Sequence, residues 1–215
     1  MILIPRCIVG VMVAALLTVG CASVPATRFY TLSVPAESSG MKDAPRLPPS
    51  SKPIFIKVMP VNVPERLARP ELVVRLPGSK QETQLSILEQ DRWSSHFNYE
   101  LRDAFTTSIA YQTGAISETR GIPTADQHNY RITIELSQFD AIVGEKVQAR
   151  FGWTITRSAD GRNTACYSVI SEPVGEGIVG VVKGVQRVVS SVSADVSKNL
   201  TELEIGQETT CAIQY

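Results

Sequence analysis

The chain has 215 residues, 43 % of them hydrophobic and 20 % charged, with 21 Lys and Arg against 21 Asp and Glu. That balance excludes a basic nucleic-acid binder and an acidic solvating tail. The length suits one domain with a real core rather than two.

The chain opens with MILIPRCIVGVMVAALLTVG, in which a single charge, Arg6, precedes an apolar run. The run falls short of the about 20 residues that a membrane span needs. Its layout is that of a secretory signal, with a short basic start, an apolar middle and small residues at the end. Leu17-Thr18-Val19-Gly20-Cys21 resembles a bacterial lipobox. This reading makes residues 1–20 a lipoprotein signal peptide, Cys21 the acylated residue and 21–27 a lipid-anchored tether. An uncut anchor or a plain secretory signal is the alternative. At about 0.8 kcal/mol per buried methylene, a cysteine carrying three acyl chains anchors far more firmly than one chain does. Loss of the signal would leave 195 residues with 20 basic against 21 acidic side chains, a net charge near −1.

Residues 28–34, RFYTLSV, read as a strand that joins the sheet. Residues 35–53, PAESSGMKDAPRLPPSSKP, have the composition of an extended, flexible insertion. Ile54, Ile56 and Val58 alternate with Phe55 and Lys57, the period of a strand. Pro60 and Pro64 cannot donate to a ladder, so the end of that run lies at a sheet edge or leaves the sheet. Residues 71–76 and 83–89 flank Pro77-Gly78-Ser79 as a hairpin.

Trp93, Phe97, Leu101, Phe105 and Ile109 recur every four residues and predict an amphipathic helix of about 18 residues. It should start at a capping Ser94 or Ser95 and end near Gly114. A block of three antiparallel strands with one buried face follows. Its buried face carries Ile132, Ile134 and Leu136, then Val147, Ala149, Phe151, Trp153 and Ile155, and Asp160-Gly161 turns into the third strand. Last, Ile178, Val181, Val182, Val185, Val189, Val192, Val196, Leu200 and Leu203 fall at spacings of three and four. Valine is a poor helix former, so such a helix must draw its stability from packing on the sheet. The fold class is α+β, a single domain of mainly antiparallel sheet packed against two amphipathic helices.

The chemistry-bearing motifs are few. His96 and His128 have no partner cysteines at metal-ligand spacing, so no metal site is expected. Gly175, Gly177 and Gly180 spell a dinucleotide fingerprint, but the chain ends too soon after the helix to supply the returning strand, and Asp195 sits mid-helix. The glycines read instead as a loop and a close helix–sheet approach. Asp140 and Glu145 could face one another across a turn as a solvated rim. No catalytic constellation and no cofactor is expected. Cys7 leaves with the signal, and an exported chain would pair Cys166 with Cys211 as a disulfide, the alternative being two buried free thiols.

Residues 53–75, PIFIKVMPVNVPERLARPELVVR, closely resemble a pattern in the PqiC-like ABC-type transport auxiliary lipoproteins. The shared run is an apolar strand, Pro60-Val61-Asn62-Val63-Pro64, then Arg69-Pro70-Glu71-Leu72-Val73-Val74-Arg75. RFYTLSVP, DRWSSHFNYEL and YRITIELSQFD match as well, so the resemblance covers nearly all of the mature chain, 28–215. It departs in the last helix, where relatives are richer in Ala and Leu, and in the length of the insertion. The resemblance implies a non-enzymatic outer-membrane lipoprotein facing the periplasm. Its implied partners are an MCE-domain protein and inner-membrane permease or ABC components that move lipid or other apolar molecules between the membranes. It also implies a homo-oligomeric ring. Ala22-Ser23 after the lipid cysteine lacks the Asp that retains bacterial lipoproteins at the inner membrane. Pro60, Pro64, Arg69, Pro70 and Arg75 would present a rigid loop for partner binding, or merely a turn that orders the sheet. The rival function is a periplasmic lipid-binding or barrel-assembly chaperone lipoprotein, which requires a sizeable apolar cavity.

Overall fold

The computed structural model describes residues 25–33, 53–78, 83–118, 121 and 127–211. The signal peptide, Cys21, nearly all of the 35–53 insertion and the terminal Ala212-Ile213 lie outside the described residues. In chain order the elements are β1 (Arg28–Tyr30), β2 (Ile54–Val58), β3 (Glu71–Val74), β4 (Ser86–Trp93), α1 (Phe97–Thr113), β5 (Ile116–Ser117), β6 (His128–Ile142), β7 (Lys146–Arg157), β8 (Asn163–Pro173) and α2 (Gly177–Glu204).

The period-2 alternation of β6 and β7 builds the centre. Ile132, Ile134 and Leu136 of β6 and Val147, Ala149, Phe151, Trp153 and Ile155 of β7 are all buried, while Arg131, Thr133 and Glu135 are exposed. These strands form the middle of a five-stranded sheet in the order β5-β2-β6-β7-β8, antiparallel from β6 to β8 and parallel at β2. Two helices cover the buried face. Phe105 of α1 meets Phe151 edge-on at 5.4 Å, and α2 lays seven buried valines against the sheet and α1. No helix among the described residues is long and apolar enough to cross a membrane.

The chain makes two sheets where the sequence suggests one. β1 joins a separate three-stranded sheet in the order β1-β4-β3, pairing parallel to β4, and β3 and β4 form the expected antiparallel hairpin. A bulge between Leu136 and Gln138 kinks β6. Beyond the kink, Arg75 bridges Ile142 and carries β3 alongside the far end of β6.

Three local expectations change. Trp93 closes β4 rather than opening the helix, because its amide donates to the Pro70 carbonyl at 2.7 Å. The helix starts at Phe97 with His96 at the cap and no side-chain capping bond, so neither serine caps it. Phe55 is buried along with Ile56, and a Cβ on Gly121 would sit 3.4 Å from the Phe55 ring. Gly114 does end α1, in the left-handed region at φ 70°.

Glycines set the seat of α2. A Cβ on Gly180 would lie 2.1 Å from the Gly175 carbonyl oxygen, and one on Gly184 would lie 2.3 Å from Val174 Cγ1 and 3.2 Å from Val147 Cγ2. The fingerprint-like spacing is therefore a packing device. At the other end of α2, Cys166 of β8 is bonded to Cys211, with the Cα atoms 5.5 Å apart. The tail between is held by Asn199 Nδ2 donating to the Thr210 carbonyl and the Thr210 amide donating to Glu202.

Three stability measurements follow from this structure. Gly184→Ala should lower unfolding free energy in urea by about 1–3 kcal/mol through overpacking. Gly152→Ala, whose Cβ would meet nothing closer than 3.8 Å, should stay within about 0.5 kcal/mol of the parent. Replacing both Cys166 and Cys211 by Ala should cost about 3–4 kcal/mol in the chain-entropy account, read as a lower midpoint in the same titration.

Candidate functional site

The structure concentrates buried charge where the N-terminal segment enters the fold. Asp91 of β4 is 5 % exposed and accepts from Arg28 at 2.7 Å and from the Tyr30 hydroxyl at 2.9 Å. Glu100, also 5 % exposed, sits in the first turn of α1. It accepts from Ser94 Oγ at 2.5 Å, Ser95 Oγ at 3.1 Å, Thr31 Oγ1 at 3.0 Å and the Leu32 amide at 3.0 Å. The Ser94 amide donates to the Tyr30 carbonyl at 2.7 Å. Residues 28–32 are thus clamped between β4 and α1 by two carboxylates.

Burial pushes the Glu100 carboxyl up, but the bonds from Ser94, Leu32, Thr31 and Ser95 together outweigh it and hold the group below its ordinary value of 4.5. The position was readable in part. Phe97, Glu100, Leu101, Ala104, Phe105 and Ser108 share one buried stripe, so Glu100 is an acid on an apolar face. Asp91 likewise shares a strand face with Trp93, two residues on.

The proline corner divides. Pro60 is exposed, whereas Pro64, Arg69 and Pro70 are half-buried around a 3₁₀ turn, Glu65–Leu67, whose Leu67 is buried. The Arg69 carbonyl accepts from the Phe97 amide at 3.3 Å, so this corner also seats the start of α1. Arg75 stands apart from it at the end of β3, ion-paired with Asp140. It is not the free cation that a docking loop would offer, and Asp140 faces Arg75 rather than Glu145.

A third cluster closes the opposite end of β6. Glu204, at the end of α2, takes His128 Nδ1 at 2.5 Å and the Tyr130 hydroxyl on its two oxygens, with Arg157 Nη2 3.4 Å from His128 Nε2. Burial, with the Glu204 bond, pushes the Tyr130 hydroxyl well above its ordinary range. Burial also pushes the Asp195 carboxyl up. Among the described residues no group of His, Cys, Asp or Glu is arranged to hold a metal ion.

Two spaces bear on the cargo question. The void lined by Leu67, Leu72, Trp93, Phe97 and Phe139 has a volume of about 10 Å³, room for a water and not for an acyl chain. Between β2 and α1 lies an open groove of about 960 Å³, lined by Met59, Pro60, Thr106, Ala110 and Tyr111. Its rim carries the Lys57–Glu118 and Arg102–Asp103 ion pairs.

A family model described as the ABC-type transport auxiliary lipoprotein component matches residues 30–197. An uncharacterized protein of solved structure is similar at a TM-score of 0.60 and 16 % identity, over 82 % of this chain and 99 % of its own. A protein from Xanthomonas campestris with the family label DUF330 is similar at 0.56 and 12 % identity, over 86 % and 98 %. At such identities the likeness to these structures shows the fold alone. No curated protein sequence matches the chain.

Glu100→Ala should strand the Leu32 amide and three hydroxyls and lower stability by about 3 kcal/mol. Hydrogen exchange at Leu32 should accelerate first. Because the folded carboxyl is held below its unfolded value, its contribution is complete above the unfolded value and is lost as pH falls through the folded one. Acid titration of the parent should show that loss, and Glu100→Ala should abolish this component of the pH dependence.

Proposed function

The chain belongs to the ABC-type transport auxiliary lipoprotein family, and from that membership we propose a non-enzymatic accessory subunit tethered to the outer membrane through acylated Cys21. The family is one of transport lipoproteins, not of enzymes. In this reading residues 1–20 are removed, 21–27 form the tether, and 28–215, with the insertion 35–53, form the working domain in the periplasm. Its partners are an MCE-domain protein and inner-membrane permease or ABC components that move lipid or other apolar molecules between the membranes.

One observation carries the reading. The strand that follows the tether is locked into the fold by Asp91 and Glu100, so a pull on the anchor reaches the core within a few residues. Without chemistry of its own, such a subunit contributes position. A ring of copies would let one small head-to-tail interface, repeated, close into a collar around a passage. The surface assigned to that interface or to the partner is the corner of Pro60, Pro64, Arg69 and Pro70; Arg75, ion-paired with Asp140 at the end of β3, stands apart from it.

Cys21→Ser should leave the outer-membrane fraction and accumulate as precursor or soluble protein; wild-type fractionation of that variant would sink the anchoring reading. The pair Pro60→Ala and Arg69→Glu should weaken assembly or capture of the MCE-domain partner from detergent-solubilised membranes, with the urea midpoint unchanged. Light scattering on the detergent-purified full chain reads the ring. A monomeric mass at every concentration, with unchanged capture by the double variant, would remove both ring and surface.

A further inference from the structure

β8 is the outermost strand of the five-stranded sheet, on the side away from β2 and the proline corner. The Arg157 amide donates to the Arg162 carbonyl and the Val174 amide to the Glu145 carbonyl, and the register between them runs without a bulge. Even-numbered residues of β8 therefore bond β7, and odd-numbered ones turn their backbone groups outward. The outward row is closed at both ends. Cys211 Sγ lies 3.6 Å from the Ala165 carbonyl oxygen, and Arg187 Nη2 donates to the Pro173 carbonyl. Between them Tyr167, Val169 and Ser171 meet no backbone partner on that side among the described residues.

Edge strands are ordinarily guarded by Lys, Pro or a bulge. From Asn163 to Ser171 β8 has none of the three, and Tyr167 stands 44 % exposed beside the open row. Such a row is a template for one more strand. A nearby charge says what that strand carries. Asp195 of α2 is half-buried beside Ser168, the residue between Tyr167 and Val169 in sequence. Burial pushes its carboxyl up by more than Ser168 and Lys198 bring it down. Lys198 pairs with Glu202 at 3.8 Å, and Asp195 makes no ion pair among the described residues. A half-buried carboxylate is stabilised by a cation that arrives with a partner. β8 itself contains no Lys or Arg, so the same strand of a second copy could not supply one. Paired antiparallel about Val169, that copy would also set its Cys211 against Arg187.

We propose that the outer edge of β8, from Tyr167 to Ser171, is a strand-addition site for an extended segment of a partner protein, with a Lys or Arg of that segment seated on Asp195. The segment takes its main-chain bonds from the open row and lays alternate side chains toward α2 and toward Tyr167. The site involves neither the proline corner nor Cys21, so its failure leaves the anchoring reading standing.

The test uses the full chain purified in detergent and two labelled, capped peptides, Thr-Val-Arg-Val-Thr and Thr-Val-Glu-Val-Thr. By fluorescence anisotropy the arginine peptide should bind with a Kd of about 1 mM and the glutamate peptide about tenfold more weakly. Hydrogen exchange should slow in the 163–173 segment when the arginine peptide is added. Asp195→Asn should bring the two peptides to one affinity. Val169→Pro removes an outward amide and no bond to β7, so it should abolish binding while the urea midpoint stays near the parent's. Should that variant fail to fold, the arginine peptide N-methylated at its three central residues gives the same reading on the unaltered protein, where it should not bind. Binding retained by the N-methylated peptide or by folded Val169→Pro overturns strand addition. Equal affinity of the parent for the two peptides, or none up to about 10 mM, overturns the proposal. Exchange that slows at 163–173 with protein concentration alone, the sign of a second copy on the edge, overturns it too. So does binding that appears only when residues 212–215 are deleted, the sign that the chain fills its own edge.

Discussion

The helix α2 can exist only because the sheet receives it. Eight valines and three glycines in 28 residues each lose up to about 0.7 or 1 kcal/mol of helix propensity against alanine. An exposed helix of that composition would melt. Burial reverses the sign: seven of the valines are buried, and each contributes about 1.5 kcal/mol or more on leaving water. The short, branched side chains and Gly184 are what allow the close seat against Val147 and Val174. A leucine-rich helix would fold more readily alone but would stand further off.

A helix so dependent on its seat needs both ends fixed. At its start, Gly180 admits the Gly175 backbone and so turns the chain directly out of β8. At its end, Glu204 closes on His128 and Tyr130, and the disulfide ties the returning tail to β8. The buried bond from Trp153 Nε1 to Asn199 Oδ1, at 2.9 Å, lies between these closures. These groups sit in the last turns of the helix, Asn199 among the buried Val196, Leu200 and Leu203. Each has a partner on a different element, which fixes the register of helix on sheet.

Much of this was legible in the sequence because period and burial coincide there. The alternation of β6 and β7 and the three-and-four spacing of α2 each report a single buried face, and Pro77-Gly78-Ser79 marks the turn between β3 and β4. Legibility failed where one residue serves two elements. Trp93 fits the helical stripe by spacing, yet its amide completes the contact with Pro70, and its ring stacks on Phe97 at 5.2 Å. It therefore lines the same core from a strand. The split into two sheets was hidden because strand periodicity does not say which strands pair, and β1 and β3 pair with β4 rather than with the five-stranded sheet. Asp91 and Glu100 were missed for a related reason. An acid on an apolar face is only a sign of trouble until its donors, Arg28, Tyr30, Thr31 and Leu32, arrive from a segment far away in sequence.

Those two carboxylates connect the fold to the function. β1 pairs over only three residues, too short a ladder to hold the segment on its own. Charge-assisted bonds are about twice as strong as neutral ones, and here they are drawn from side chain and backbone on both sides of the strand. Asp91 holds it to β4 and Glu100 holds its exit to α1, so the segment cannot peel from one neighbour without breaking with the other. The Phe97 amide in turn bonds the Arg69 carbonyl, and α1 packs on the five-stranded sheet through Phe105 and Phe151. A displacement of β1 is therefore passed to the proline corner and the sheet through these contacts. In the accessory role proposed above, that stiffness would be the property its sequence has to encode.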